Sequence, residues 1–129
     1  MSAAIQMEIQ LPKPLPRDFT ERCRVYAQEW LPENGEVYRL FEVSARAVAQ
    51  KREHFGARCI LEKIRFDFAV RETNSAFTVN NNLGGLLSRH FTLINPRYEG
   101  FFQERRMLGE PTDPEISKAI LRRALRWAV

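Results

Sequence analysis

Apolar residues recur along this chain at intervals of three and four, the spacing that gathers them on one side of a helix. Phe19, Cys23, Tyr26, Ala27 and Trp30 are the first such set. They predict a helix over 18–31, capped by Asp18 with Glu21 three residues on. Pro32-Glu33-Asn34-Gly35 is a turn signal and is expected to end it. A second helix is expected over 36–52, with Val37, Leu40, Phe41, Ser44, Ala45 and Val48 as its inner stripe. Arg39, Arg46 and Lys51 fall on its far face, interleaved with Glu42. After a short connection at His54-Phe55-Gly56, a third helix is expected over 57–70. Ala57, Ile60, Leu61, Ile64 and Phe68 line one side of it; Arg58, Glu62, Lys63 and Arg65 lie mostly elsewhere. Phe66 sits off that stripe. The core is its expected place, because apolar helix stripes are often broad, and exposure to a partner is the alternative.

The period then changes. Thr73-Asn74-Ser75 reads as a turn and Ala76-Phe77-Thr78-Val79 as a short strand. Any of Asn80, Asn81 and Asn82 can cap a fourth helix over 83–94, with Leu86, Leu87, Phe91 and Ile94 inward. Gly84 and Gly85 lie in its first turn and cost it about 1 kcal/mol each relative to Ala. Close approach of another backbone, or of a phosphate, would explain them. Asn95-Pro96 breaks the chain, and Tyr98, Phe101 and Phe102 form an aromatic cluster that closes the core. Gly109 to Pro114 reads as a loop. A capping box of Thr112 and Glu115, with Pro114 in the first turn, starts a last helix. Ile116, Ile120, Ala124 and Trp127 share one face of it, and Lys118, Arg122, Arg123 and Arg126 form a basic strip.

These elements define a mainly α protein with a minor β element: one compact helical domain over 17–129, with a winged-helix arrangement as one form it can take. Residues 1–16 carry Pro12, Pro14 and Pro16, which disfavour helix and predict an extended N-terminal arm. At 129 residues, 44% hydrophobic and 28% charged, the chain can bury a core without metal or disulfides. It has no apolar run of the roughly 20 residues that a membrane helix needs, and no secretory signal. Its two cysteines, Cys23 and Cys59, both fall on apolar faces and are expected to be buried free thiols. A cytoplasmic location follows as an expectation.

Charge adds one asymmetry. The net charge is +4, and sixteen of the twenty basic residues are Arg. Arginine forks match phosphate and carboxylate, although a codon bias toward Arg would give the same count. Enzyme chemistry finds little support. The only histidines, His54 and His90, form no zinc motif, and no P-loop is present. Ser88 and His90 are two apart on a helix and diverge. Glu62, Asp67 and Glu72 read as solvated charges rather than metal ligands. No cofactor and no catalytic residue is assigned.

Two binding classes remain. The helices 36–52 and 57–70, joined through Gly56, are compatible with a helix-turn-helix, and 70–82 could supply a wing. DNA would then meet Arg58, Glu62, Lys63 and Arg65 on the second helix and Arg71 just beyond it, with Lys118, Arg122, Arg123 and Arg126 as a further basic strip. In the alternative the mixed-charge helix faces dock a host protein. Oligomeric state is left open.

The stretch Ile64-Arg65-Phe66, Phe77-Thr78-Val79-Asn80-Asn81, Arg89, Asn95-Pro96 and Gly100-Phe101-Phe102-Gln103-Glu104-Arg105 resembles a group of small, uncharacterised bacterial and phage or prophage proteins. The resemblance implies no activity. Arg65, Asn81, Arg89 and Arg105 fall within it and are expected to join a polar network that holds the extended segment to the helices, because buried Arg and Asn need partners. A ligand or DNA face is the rival role for the same four residues.

Overall fold

A computed structural model describes residues 17–71 and 81–126, with side chains for 17–67 and 83–126. The N-terminal arm, the turn and strand expected at 73–79, Asn80 and Trp127 lie outside the described residues, as do the side chains of Phe68, Arg71, Asn81 and Asn82.

The protein is a mainly helical domain. α1 (Phe19–Val25) runs through a wide π-helical turn (Tyr26–Trp30) into α2 (Leu31–Ala49). α3 (Ala57–Arg71), α4 (Asn81–Ile94), a 3-10 turn (Pro96–Tyr98) and α5 (Pro114–Arg126) follow. Asp18 caps α1 as its sequence predicts, its carboxylate accepting from the Thr20 N–H at 3.1 Å.

The turn expected at Pro32–Gly35 is instead a kink. Pro32 sits in the first turn of α2, where a missing N–H costs little. Only Asn34 leaves helical geometry (φ −127°, ψ 27°), and its side-chain amide donates to the Trp30 carbonyl at 2.9 Å. A side-chain donor thus serves the carbonyl where the backbone bends away, and the helix survives its turn signal.

α4 is the central element, touching α2, α3 and α5. Leu83, Leu86, Leu87 and Phe91 are fully buried, and Ser88, His90 and Thr92 are buried beside them. The helix is therefore enclosed on more than the one face its apolar period marks. Gly84 is buried against α3, where a Cβ would lie in ordinary contact, 3.5 Å from Leu61 Cδ1 and 3.9 Å from Ala57 Cβ. The neighbours of Gly84 are side-chain atoms with room for a methyl, so no close backbone approach requires this glycine. Ile94, expected inward, is exposed at the last residue of α4, past the reach of its neighbours.

The aromatic cluster closes the core. Phe102 stacks on Phe41 (5.4 Å) and meets Phe91 and Phe101 edge-on. Phe55 and Phe102 form an isolated parallel bridge, with the Phe55 N–H donating to the Phe101 carbonyl at 3.1 Å. Among the described residues it is the sole β pairing.

Three side-chain expectations fail. Phe66 is 67% exposed, because the α3 face packed on α2 and α4 is the narrow one of Ile60, Leu61 and Ile64. Cys59 lies one residue before that stripe and is exposed, whereas Cys23 is buried, its thiol pushed up to about 12 by desolvation. On α5 the buried positions are Leu121 and Ala124, while Ile116 is half exposed in the first turn. The cap of α5 is Asp113, whose carboxylate accepts from Glu115 N–H at 2.9 Å, one residue later than the Thr112 box.

Candidate functional site

The most heavily bonded side chain on α4 is Arg89. Its Nε and one terminal nitrogen donate to the two Glu110 oxygens at 2.9 Å each. It also donates to the Gly85 carbonyl and to the Arg105 carbonyl, both at 2.8 Å. The Glu110 carboxylate accepts further from the Met107 N–H at 2.9 Å, and Arg106 Nε donates to the Glu110 carbonyl at 3.0 Å. Only about a tenth of either side chain reaches solvent (Arg89 10%, Glu110 11%), so the pair is desolvated but fully engaged. The guanidinium also lies over the Phe19 ring, 5.9 Å from its centroid.

This network straps residues 105–110 across α4. Gly109, at φ +77°, turns the strap back toward α1, where the Phe19 N–H donates to the Leu108 carbonyl at 3.0 Å. Of the four residues expected in a polar network, Arg89 is its centre. Arg105 joins by its carbonyl alone, and its side chain is exposed. Arg65 is not part of it: it is exposed on α3 and pairs with Glu62 at 3.4 Å. The Asn81 side chain lies outside the described side chains. Glu110 was missed, because a single acid in a loop between Gly109 and Pro111 gives no pattern to read.

Between the strap, the start of α3 and α4 lies an open groove of about 590 Å³. Arg22, Arg58, Arg89, Arg105 and Arg106 line it, and Glu104 is the one acidic residue among them. Gly56, Gly84 and Gly85 leave its floor low. α3 begins here, so the positive end of its helix dipole faces the groove. Glu104 approaches Arg89 Nε at 3.5 Å, and burial raises its carboxyl above its ordinary pKa with Arg89 partly opposing. The arrangement can receive anionic oxygens and has no nucleophile–base pair.

The other expected contacts disperse. Lys63 pairs with Asp67 at 3.0 Å and Arg58 approaches Glu62 at 3.8 Å, so the exposed face of α3 is largely self-neutralised. Lys118 is held by Glu99 at 3.0 Å and Glu115 at 3.5 Å, which removes it from the basic strip. Arg122, Arg123 and Arg126 are exposed on α5, away from any ion pair among the described residues. Arg71 lies outside the described side chains. Arg22 and Arg106 entered no expectation: only tertiary contact brings Arg22 beside Arg58, and Arg106 follows Arg105 in a segment with no periodic pattern.

A second polar cluster is buried between α2 and α4. The Tyr26 hydroxyl and His90 Nδ1 share a hydrogen bond of 2.6 Å, and Tyr38 stacks on His90 with centroids 4.0 Å apart. Tyr38 donates to Glu42 at 3.1 Å, Asn95 donates to the same carboxylate at 3.0 Å, and Arg46 donates to Asn95 Oδ1 at 2.7 Å. Burial lowers the His90 pKa to about 4, partly opposed by Glu42, so the imidazole is neutral at pH 7. The phenol of Tyr26 is fully enclosed and its pKa is raised by the same desolvation. The cluster ties helices together and offers no entry to a substrate.

Among the described residues no three His, Cys, Asp or Glu side chains gather to hold a metal ion, and no helix is long and apolar enough to cross a membrane. The chain matches no protein-family model, and comparisons with curated proteins and with solved structures return no match.

Proposed function

We propose that the protein is a non-enzymatic DNA-binding accessory protein that grips the phosphate backbone through the arginine groove. One observation carries this reading: Arg22, Arg58, Arg105 and Arg106, from three separate stretches of the chain, border one open groove whose fifth arginine, Arg89, is already held by Glu110. Arginine forks and a helix N-terminus are the groups that hold phosphate oxygens. The exposed α3 cations are matched by Glu62 and Asp67, which favours backbone contact over base reading by that helix.

Fluorescence anisotropy with a labelled duplex, at salt from 50 to 300 mM, tests the reading. About four phosphate contacts give a slope of log K against log salt near −3.6. Arg105→Ala with Arg106→Ala should flatten that slope by about 2. Absence of binding at the lowest salt overturns the reading. The alternative would then stand, a host-protein contact using the exposed Phe66 (67%) and Val43 (62%).

A further inference from the structure

A second set of cations lies at the other end of the Phe55–Phe102 bridge. Lys51 and Arg52 follow α2, are exposed, and make no side-chain hydrogen bond or ion pair among the described residues. Arg97, on the 3-10 turn, is exposed with its guanidinium 5.1 Å from the Tyr98 ring centroid. These three line an open cleft of about 400 Å³ with Glu53 and Glu99, and Glu99 is already bound by Lys118. Lys51, Arg52 and Arg46 also border an adjoining hollow that has no acidic residue on its walls.

The two basic regions are built from the same pair of chain segments. Residues 49–53 and 97–101 form the cleft, while 56–58 and 103–108 form walls of the arginine groove. Phe55 and Phe102 pair between them in parallel, so both segments advance in one direction from the first region to the second. The chain from Arg52 to Arg58 spans at most about 20 Å, the length of roughly six base-pair rises along the axis of a duplex.

We propose that a single DNA backbone runs the length of this seam, held in the arginine groove at one end and by Lys51, Arg52 and Arg97 at the other. The proposal rests on the groove's reading as a DNA site and adds a second anchor to it. The full-length protein carrying Lys51→Ala and Arg52→Ala is titrated with a 16-base-pair labelled duplex, beside the wild type and the Arg105→Ala/Arg106→Ala variant. The second anchor predicts about tenfold weaker binding at low salt and a salt slope flatter by about 2, with an unchanged thermal midpoint. Unaltered affinity in the Lys51/Arg52 variant, where the Arg105/Arg106 variant has lost it, overturns the second anchor and leaves the groove reading intact. So does a weakening accompanied by a fall in thermal midpoint, which would mark the two cations as complements to the α2 C-terminus. A wild type that fails to bind overturns both.

Discussion

α4 and α5 differ by one residue in length, 14 against 13, and both carry arginine, yet they use it in opposite ways. Arg89 sits on a helix with neighbours on several sides, and its guanidinium is satisfied by Glu110 and two carbonyls. Arg122, Arg123 and Arg126 sit on a helix with only one covered side and remain in water. The position of a helix in the packing, rather than the residue type, decides whether an arginine is a brace or a contact. The same contrast separates Arg89 from Arg65, which the sequence places in one network and the fold does not.

The largest expected effect breaks that contrast at its buried end. Arg89→Ala leaves Glu110 as an enclosed, unpaired carboxylate and should cost about 3–5 kcal/mol in urea unfolding. Arg65→Ala should change stability by no more than about 0.5 kcal/mol, as for other exposed ion pairs. Equal losses for the two would refute the distinction.

His90 sharpens the comparison by pH. Its folded pKa, about 4, lies below the ordinary 6.5, so the neutral form is the one folded around. Its contribution is complete above pH 6.5 and is lost as pH falls through 4, a change of about 3 kcal/mol for a shift of this size. Unfolding free energies measured from pH 7.5 to 4 should therefore decline, and His90→Gln should flatten that decline. A parallel decline in the variant would assign the acid sensitivity to other groups.

The smallest effect concerns the adjacent glycines. A Cβ at Gly84 meets only ordinary contacts, so Gly84→Ala should stabilise by up to about 1 kcal/mol through helix propensity. At Gly85 the added carbon would fall 2.6 Å from Met107 Cε and 3.2 Å from an Arg89 nitrogen. Gly85→Ala should give no such gain and should disturb the strap. Thermal midpoints of the two variants compare them directly.

The helices were legible because their apolar spacing is regular: α3 and α4 begin and end within two residues of expectation. What escaped depended on contacts between distant segments. Asn34 rescues a helix through its side chain, which a turn-rich tetrapeptide does not announce. Ser88, His90 and Thr92 are buried because α4 is surrounded, and periodicity along one helix cannot report its neighbours. The candidate groove was half visible. Arg58, Arg89 and Arg105 were singled out from the sequence, while Arg22 and Arg106 reach it only through the α1 contact and the Glu110 strap.

The wide turn at Tyr26–Trp30 has a bearing on how this chain tolerates change in length. The Leu31 N–H reaches back five residues to the Tyr26 carbonyl, so the rod from Phe19 to Ala49 holds one residue more than regular winding requires. That surplus lets Cys23 and Tyr26 on one side of it, and Val37 and Phe41 on the other, all reach the same interior. It is a built-in place of slack, where a single residue can be lost, returning the turn to regular winding, while both flanking stretches keep their phase.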